Sequence, residues 1–466
     1  MRYFALASDY DGTLAANGRI SDSTMAALRR LRADGRKVVL VTGRIVEDLL
    51  RVCPDLMAFD RVVAENGAVV YWPADGKTGI LCPRLPQGFI DELRARNVAP
   101  LSVGAVLAAT EQPHDTEVLR TIEDLGLDLQ IIFNKGSVMV LPSGVNKGTG
   151  LRAALDEMGL SPHNVVGVGD AENDHAFLQL CECSAAVANA LPTLKERADV
   201  LTRGSNGNGV AELIDAIIGD ELASVQPERT RRTIPLGTGV DGRRVGFPAY
   251  GVNLLFAGSS GSGTSTAAAA VVEQMIQHDY QFCLIDPEGN CDGFQGAEVL
   301  GSAQRAPDTS EVIRALAAPR PSVVLNLLAV PIDERPGFCA RLIPPMRELR
   351  KRTGRPHWLI FDGADHLLPS NLSISTAVES LENSMFVTAE PGQLHHAVLN
   401  LADVIVATGD PARTIEKFCY AVRQQVPSFD TASQRTELAV IWFRRADVLA
   451  QAFRPGSPTA MRPGHQ

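Results

Sequence analysis

Two carboxylates near the start of the chain, Asp9 and Asp11, are the residues whose spacing points most directly to chemistry. They follow a short apolar run, Tyr3 to Ala7, that predicts a buried β-strand. Since alternate residues of a strand face the same side, both carboxylates are expected at its carboxyl end. Carboxylates there can hold a metal, attack phosphorus and move a proton. An acidic turn is the alternative interpretation, because Asp11 and Gly12 also form a common turn pair.

Two further predicted strands end in residues that suit phosphate chemistry. Lys37 to Val41 is a β-branched run that stops at Thr42 and Gly43. Asn164 to Val168 is a buried run that stops shortly before Asp170. Strands that alternate with helical segments indicate a mostly parallel sheet, whose strands end along one edge, where ligands bind. The three loops are therefore expected to converge on one site.

Each of these residues has a role in phosphate-ester hydrolysis. Asp9 is the expected nucleophile, forming an aspartyl-phosphate, and Asp11 the expected general acid and base. Thr42 and the N–H of Gly43 can donate to phosphoryl oxygens, and Lys147 offers them a positive charge. Neighbouring carboxylates and a phosphate dianion repel one another unless a cation intervenes, and Mg²⁺ suits such a site.

The expected Mg²⁺ ligands are the carboxylates Asp9, Asp11, Asp170 and Asp174. Asp174 fits either a ligand or a residue that supports one. Taken singly, the segment from Asp170 to Asp174 also fits a helix N-terminus with acidic residues. Thr42 alone also fits a turn, and Lys147 alone fits a solvated lysine. These alternatives stay open for each residue considered by itself.

Four motifs stand in a shared order and spacing: Asp9-Tyr10-Asp11-Gly12-Thr13, Thr42-Gly43-Arg44, Asn146-Lys147-Gly148 and Gly169-Asp170-x-x-Asn173-Asp174. In these motifs residues 1–219 resemble the haloacid dehalogenase superfamily, and within it the Cof-type phosphatases with a C2 cap. The resemblance implies a Rossmann-like α/β core over residues 1–83 and 147–219, with a small α+β cap over residues 84–146. It also implies Mg²⁺ dependence and hydrolysis of a phosphate monoester, often a sugar phosphate.

The resemblance implies that Asn173 joins Thr42, Gly43 and Lys147 in binding the substrate phosphate. No cap motif is diagnostic for a leaving group, so the expected partner is a small phosphorylated metabolite without further identity. A phosphomutase of the same superfamily is the alternative, because the Asp9 and Asp11 pair also suits return of the phosphoryl group to the substrate.

A polar, charged stretch over residues 220–232 is the expected linker to a second βα unit. In that unit a glycine-rich loop, Gly258 to Ser265, separates a predicted strand, Val252 to Ala257, from a predicted helix, Thr266 to Ile276. This matches the P-loop pattern, in which backbone N–H groups bind phosphates at a helix N-terminus. A flexible linker is the alternative. The expected nucleotide-binding residues are Gly258, Gly261, Gly263, Thr264, Ser265 and Asp362.

The second half departs from the P-loop pattern at two positions. Thr264 stands where the lysine is expected, and Gly363 follows Asp362 where a catalytic glutamate is usual. The motifs Leu284-Ile285-Asp286-Pro287-Glu288-Gly289 and Asp362-Gly363-Ala364-Asp365-His366-Leu367-Leu368-Pro369 resemble the HerA/FtsK-like ATPases. The resemblance implies a second α/β domain over residues 233–454, P-loop NTPase-like but degenerate, with ATP or ADP as ligand and a regulatory or scaffolding role. Residues 455–466 are predicted to be a disordered tail.

Composition narrows the class of protein. The chain has 466 residues, 45% of them apolar and 21% charged, which is typical of globular proteins. A net charge of −10 argues against broad nucleic-acid binding, and no apolar stretch is long enough to span a membrane. No signal peptide is recognised and the eight cysteines are scattered, so a cytoplasmic protein with reduced thiols is expected.

A hypothesis from another class makes the chain a nucleotide-sensing or nucleic-acid-associated assembly protein that acts through its second half. A basic stretch from Arg341 to Arg355 is the feature that nucleic acid would contact. The exposed face of a helix is the preferred interpretation of that stretch. A homo-oligomer formed through the second half also stays open.

Overall fold

The computed structural model describes residues 1–53, 55–223, 233–291, 293–371, 381–429, 438–444 and 449–457. The chain divides into two units, Met1–Thr230 and Arg231–Gln466. Residues 224–232 of the predicted linker and 458–466 of the predicted tail lie outside the described residues. No helix of the described residues is both long and apolar enough to cross a membrane.

The first unit begins with buried apolar strands that alternate with helices. Its first elements are β1 (Ala5–Ser8), α1 (Asp22–Ala33), β2 (Lys37–Val41), α2 (Val46–Val52), β3 (Arg61–Ala64), β4 (Val69–Trp72) and β5 (Lys77–Ile80). Helix α1 begins where the Ser21 side chain accepts the N–H of Thr24, and it buries Leu28 and Leu31 at helical spacing. Sequence periodicity and the N-cap are therefore sufficient to place this helix.

An α+β cap interrupts this pattern. Its elements are α3 (Gln87–Ala95), β6 (Ser102–Val103), β7 (Ala108–Glu111), α4 (Asp115–Asp124), β8 (Leu129–Asn134) and β9 (Ser137–Pro142). The strands form an antiparallel sheet in the order β6-β7-β9-β8. The sequence predicts one strand from Val103 to Ala109, which is wrong, because the chain turns between β6 and β7 with the N–H of Gly104 donating to the oxygen of Leu107.

The rest of the first unit returns to the core sheet. Its elements are α5 (Lys147–Glu157), β10 (Val165–Gly169), α6 (His175–Leu180), β11 (Cys183–Ala186), α7 (Pro192–Lys195), β12 (Val200–Leu201) and α8 (Asn206–Asp220). The eight-stranded sheet has the order β12-β11-β10-β1-β2-β3-β4-β5, parallel from β12 to β3. Ser8 at the end of β1 lies opposite both Val168 and Leu40. Strands β10, β1 and β2 therefore end at the same level.

The second unit is also α/β. Its elements are β13 (Thr233–Gly239), β14 (Arg244–Pro248), β15 (Leu254–Ala257), α9 (Thr264–Gln277), β16 (Phe282–Asp286), β17 (Ala297–Leu300), α10 (Thr309–Ala317), β18 (Ser322–Asn326), α11 (Arg335–Thr353), β19 (Trp358–Phe361), α12 (Ala364–Leu367), β20 (Ser384–Thr388), α13 (His396–Leu401), β21 (Val404–Ala407), α14 (Pro411–Val422), β22 (Ala439–Phe443) and β23 (Gln451–Pro455). They form an eleven-stranded sheet in the order β14-β13-β23-β22-β21-β15-β20-β19-β16-β18-β17, parallel from β21 to β17. Separate apolar clusters cover the two faces, since Leu255 belongs to one and its neighbour Leu254 to the other.

Candidate active site

The carboxyl ends of three neighbouring parallel strands carry the polar residues of the site. Asp9 follows β1, Thr42 follows β2 and Asp170 follows β10, and all three are buried. The N–H of Asp9 donates to the main-chain oxygen of Val168 at 3.0 Å, which continues the pairing of β1 with β10 beyond the strand. The structure therefore brings these three side chains to one edge of the sheet.

Lys147 lies between two of the carboxylates. Its Nζ is 2.6 Å from Asp9 Oδ1 and 2.6 Å from Asp174 Oδ1, and all three side chains are buried. Helix α5 begins at Lys147 because the side chain of Asn146 accepts the N–H groups of the first turn. The interpretation of Lys147 as a solvated lysine is wrong, since its ammonium group is enclosed by anions.

Burial and charge act together on these groups. Burial raises the pKa of Asp9, and the negative charge of Asp174 raises it further, while Lys147 opposes the shift. Burial by itself would lower the pKa of Lys147, but Asp174 and Asp9 outweigh burial and raise it. Lys147 therefore stays protonated, whereas Asp9 gains from additional positive charge.

The carboxylate of Asp11 pairs with Arg44. Arg44 Nε donates to Asp11 Oδ2 at 2.6 Å and Nη2 donates to Oδ1 at 2.8 Å, a bidentate arrangement. The hydrogen bond to Asp11 raises the pKa of Arg44. The Asp11 side chain is 42% exposed, so Arg44 fixes its orientation at a point that solvent reaches.

Asp170 is contacted from the core and from the cap. Thr13 Oγ1 donates to Asp170 Oδ1 at 3.3 Å, and Lys135 Nζ of the cap lies 2.7 Å from Oδ2. Lys135 also donates to the main-chain oxygen of Asp11 at 3.1 Å. Burial raises the pKa of Asp170 and Lys135 opposes the shift. Gly12 is required here, since a Cβ at this position would lie 2.2 Å from Asp170 Oδ2.

Thr42 and Gly43 lie between the Asp11 pair and the loop after β3. The hydroxyl of Thr42 accepts the N–H of Arg44 at 3.1 Å, so its own proton stays available for a phosphoryl oxygen. A Cβ on Gly43 would approach Asn66 Oδ1 to 3.3 Å, so the absence of a side chain keeps this part of the loop open.

Asn173 lies in the loop between Asp170 and Asp174. Its Nδ2 donates to Asn66 Oδ1 at 3.0 Å, and Asn66 in turn contacts the sulfur of Met139 in the cap. The Oδ1 of Asn173 is buried, with no hydrogen-bond partner in the part of the chain that the structure describes. The unpartnered atom is an acceptor, which suits a hydroxyl or a water molecule better than a phosphoryl oxygen.

The carboxylates of Asp9, Asp170 and Asp174 form a group whose oxygens lie within 4.8 Å of one another. Carboxylate oxygens are the ligands that Mg²⁺ prefers, and the excess negative charge at Asp9 favours a cation. These residues therefore fit a divalent metal. Asp11 was the fourth predicted ligand, but its carboxylate lies outside the group because Arg44 holds it.

Three residues organise the site without having been predicted as site residues: Arg44, Lys135 and Glu65. Glu65 is a buried carboxylate that accepts the main-chain N–H groups of residues 105–107 at 2.8–2.9 Å. It therefore ties the cap to the loop after β3. Lys135 could have been recognised from its position in the two-residue turn between β8 and β9. Such turns favour Asn and Gly, so a lysine there is unusual.

In the second unit the glycine-rich loop joins β15 to α9, which begins at Thr264. The buried hydroxyl of Thr264 lies 2.6 Å from Thr408 Oγ1 and 3.0 Å from Ser262 Oγ. Gly258 packs against the hydroxyl group of Thr408, since a Cβ on Gly258 would lie 2.2 Å from Thr408 Oγ1. Neutral hydroxyl groups thus surround the position at which a P-loop has its lysine.

The same loop borders a pocket of about 230 Å³. Gly261 and Gly263 have φ angles of 80° and 83°, which favour glycine, and Gly263 lines the pocket together with Gly409. Ser265 lies on the first turn of α9 and does not line the pocket. The loop is thus a defined turn before a helix rather than a flexible linker.

One strand separates Asp362 from this loop in the sheet order. Asp362 follows β19, which β20 separates from β15. Its carboxylate is grouped within 4.8 Å with Asp286 and Cys291. Asp286 accepts the N–H groups of the turn after β16 with both oxygens, so its carboxylate organises that turn.

The basic stretch near the end of α11 is exposed only in part. Arg350 donates to the main-chain oxygens of Pro356 and His357, and Arg355 is fully buried and donates to the oxygen of Ala317. The exposed members are Arg341, Arg347, Lys351 and Arg352. The interpretation of the whole stretch as an exposed face is therefore wrong for the two arginines that bind carbonyl groups.

Known proteins share the first unit. A model of the haloacid dehalogenase-like hydrolase family matches residues 6–94 and 96–214. A phosphoglycolate phosphatase of Methanothermobacter thermautotrophicus is 30% identical over 221 residues, which is 46% of this chain and 99% of that protein. Another, of Halorubrum lacusprofundi, is 32% identical over 221 residues, 45% of this chain and 95% of that protein. A crystal structure of a haloacid dehalogenase-like hydrolase from Bacteroides thetaiotaomicron is 19% identical, with a TM-score of 0.41, and covers 46% of this chain and 99% of that chain.

The family match and the phosphoglycolate phosphatase relatives show that this chain is an enzyme, a phosphoric monoester hydrolase. The chain belongs to the haloacid dehalogenase-like hydrolases, and a phosphatase domain makes up its N-terminal 46%. The family predicted from the four motifs is thereby confirmed. The family match ends at residue 214, so the P-loop interpretation of the second unit stays a prediction.

Proposed function

We propose that the first unit is a Mg²⁺-dependent phosphatase that hydrolyses a small phosphate monoester through an aspartyl-phosphate on Asp9. The observation that carries the proposal is the buried ammonium group of Lys147, 2.6 Å from both Asp9 and Asp174, beside the carboxylate of Asp170. Buried ionisable groups that perturb one another at the carboxyl edge of a sheet are typical of functional sites, which supports the proposal.

The carboxylates of Asp9, Asp170 and Asp174 are the residues that would hold Mg²⁺. When bound, the metal supplies positive charge that offsets repulsion between the carboxylates and the substrate phosphate. The buried, unpartnered Oδ1 of Asn173 lies in the same loop and supports a site completed by a ligand or by water. We propose that the main-chain oxygen of Asp11, rather than its carboxylate, lies next to the metal. The Nζ atom of Lys135 contacts both this oxygen and Asp170 Oδ2, so the two oxygens are close together.

The reaction requires two displacements at phosphorus. An oxygen of Asp9 forms the new P–O bond, the ester P–O bond breaks, and Asp11 gives its proton to the leaving oxygen. Asp11 then takes a proton from water, whose oxygen attacks phosphorus and breaks the bond to Asp9. Lys147 and the hydroxyl of Thr42 donate to the phosphoryl oxygens in both steps. Arg44 positions the Asp11 carboxylate and must release it when Asp11 carries a proton.

For the substrate we propose a small phosphorylated metabolite. Relatives named phosphoglycolate phosphatase support phosphoglycolate as the first compound to assay, and sugar phosphates are next. A phosphomutase is distinguished by its product, since it returns an isomerised phosphate ester whereas a phosphatase releases inorganic phosphate.

The Asp9→Asn variant tests the nucleophile. We expect phosphate release to fall by at least about 10³-fold, because an amide oxygen does not form the covalent intermediate. The matched control is Asp75→Asn, since Asp75 is exposed in the turn between β4 and β5. The assignment is wrong if Asp9→Asn retains activity toward every substrate that the wild type hydrolyses.

For the second unit we propose weak nucleotide binding at the loop from Gly258 to Ser265, with a regulatory or scaffolding role. The loop geometry favours it, because helix α9 begins at the loop beside a pocket. Calorimetry of the full chain with ATP and ADP tests it, with Thr264→Lys as the variant that restores the missing charge and Thr264→Ser as its control. The absence of binding at millimolar nucleotide in all three proteins would leave this unit as a scaffold.

A further inference from the structure

The turn at the tip of the β8–β9 hairpin contains a charged residue at a position where the backbone conformation favours Asn or Gly. Lys135 and Gly136 form this turn with φ angles of 48° and 86°. Positive φ at both central residues is the geometry in which Asn and Gly are preferred. A lysine is not a residue that stabilises this type of turn. The presence of Lys135 is therefore better explained by what its side chain contacts.

That side chain carries a positive charge from the cap to the core. Lys135 Nζ lies 2.7 Å from Asp170 Oδ2 and 3.1 Å from the main-chain oxygen of Asp11. The side chain is 46% exposed, so the ammonium group is open to solvent on one side. It therefore lies beside Asp11, which protonates the leaving oxygen in the proposed mechanism, whereas Lys147 is enclosed among the carboxylates.

We propose that Lys135 is a specificity-determining residue that selects phosphate monoesters whose leaving group carries a carboxylate. The inference rests on the proposed phosphatase function and deepens it. With a divalent cation bound at Asp170, the Lys135 ammonium group would be repelled from that carboxylate, and the flexible stem of the lysine would let it turn toward an anion on the leaving group. A neutral leaving group offers no such partner, so Lys135 favours the anionic substrate.

A matched pair of substrates tests this directly. 3-Phosphoglycerate and glycerol 3-phosphate differ only in a carboxylate that replaces a hydroxymethyl group. The full-length variants are Lys135→Met, which removes the charge, Lys135→Asn, which also suits the turn, and Lys135→Arg, which keeps a charge. The control is Arg120→Met, because Arg120 pairs with Glu117 on the exposed side of α4.

We expect wild type to prefer the carboxylate substrate, and the ratio of the two kcat/KM values to fall about 10-fold in Lys135→Met and Lys135→Asn. The loss is expected mainly in KM, because the contact is remote from the reacting phosphorus. Lys135→Arg retains most of the ratio, and Arg120→Met retains all of it. In saturating Mg²⁺, which would supply the positive charge that Asp170 loses, Lys135→Asn is expected to be about as stable as wild type, so misfolding does not explain its loss of preference.

Calorimetric titration with Mg²⁺, without substrate, separates specificity from a structural effect. Removal of the ammonium group beside Asp170 is expected to leave Mg²⁺ affinity equal or higher. An unchanged ratio in Lys135→Met, or an equal fall of kcat for both substrates with weaker Mg²⁺ binding, overturns the inference while the phosphatase stands. If wild type hydrolyses no phosphate monoester, the proposed function fails first, and the inference fails with it.

Discussion

At the scale of single residues, Lys147 balances the charge of the site. Its ammonium group is the buried cation in direct contact with Asp9 and Asp174. Removing one partner of a buried ion pair leaves an uncompensated charge, which costs far more than the pair itself contributes. The stability of the unit and the proposed reactivity of Asp9 are therefore expected to depend on the same side chain.

Lys147→Met is expected to lower the free energy of unfolding by about 3–5 kcal/mol in EDTA. Phosphate release is expected to fall by at least about 100-fold, because the phosphoryl oxygens lose a donor. Thermal unfolding and a phosphate-release assay measure the two effects.

Lys37→Met is the control for Lys147→Met, since Lys37 is half exposed and its pair with Asp60 contributes at most about 1 kcal/mol. A second substitution, Asp174→Asn, is expected to restore part of the stability lost by Lys147→Met without restoring activity. If Lys147→Met unfolds at the wild-type temperature, Lys147 does not balance the buried carboxylates.

The site residues that directly follow a buried strand could be predicted from the sequence. Asp9, Thr42 and Asp170 could be predicted because each ends an apolar run, and parallel strands bring such ends together. The pairing of Asp11 with Arg44 and the contact of Lys135 with Asp170 could not be predicted. The latter pair is 35 residues apart, and the direction of each side chain depends on how the cap packs on the core.

At the scale of elements, helix α5 is placed by its contact with the turn after β3. Gly67 in that turn has a φ of 103°, and a Cβ there would lie 2.0 Å from the main-chain oxygen of Asn146. Asn146 is the N-cap of α5, so the contact also fixes the start of the helix that carries Lys147.

Gly67→Ala is expected to lower the free energy of unfolding by about 3–5 kcal/mol, because the added Cβ strains the backbone at a positive φ and also clashes with main-chain atoms. Relief of the clash displaces the start of α5, so kcat is expected to fall even under conditions where the variant is folded. Urea unfolding and kcat at 25 °C measure both effects.

Gly76→Ala separates strain from the clash. Gly76 also has a positive φ, of 65°, but a Cβ added there would have no heavy atom of the described residues within 4 Å beyond its chain neighbours. This control is expected to cost only about 1–2 kcal/mol and to leave kcat unchanged. Equal costs for the two substitutions would show that the approach to Asn146 does not matter.

The elements of the cap show where local pattern is insufficient. The apolar run from Val103 to Ala109 predicts one strand, yet the chain turns within it. The turn is stabilised by Glu65, which accepts three N–H groups there from a position about 40 residues earlier in the chain. A local window contains no sign of such a distant acceptor.

At the scale of the whole molecule, each unit has its own hydrophobic core. The buried apolar clusters of the described residues each belong to one unit alone. We therefore expect two thermal unfolding transitions. Mg²⁺ is expected to raise the midpoint temperature of one of them, that of the first unit. At a concentration of 100 times its Kd, Mg²⁺ is expected to add about 2.7 kcal/mol to the first unit.

Scanning calorimetry with and without Mg²⁺ resolves these transitions, and tryptophan fluorescence assigns them. Trp72 belongs to the first unit, whereas Trp358 and Trp442 are buried in the second. Trp72→Phe is expected to remove the signal that shifts with Mg²⁺. A single transition that Mg²⁺ moves as a whole would contradict the separation of the cores.

The hairpin turn at Lys135 has a consequence for how this enzyme changes over generations. Replacement of one turn residue is expected to leave the register of β8 and β9 intact, so under the proposed role of Lys135 a single codon would alter substrate preference. Asp9 and Asp170 have no such freedom, because each is fixed by a strand that is central to the core sheet. Under the proposed role of Lys135, selection would redirect this phosphatase to new substrates through its cap while the residues that hold the reacting phosphate stay unchanged.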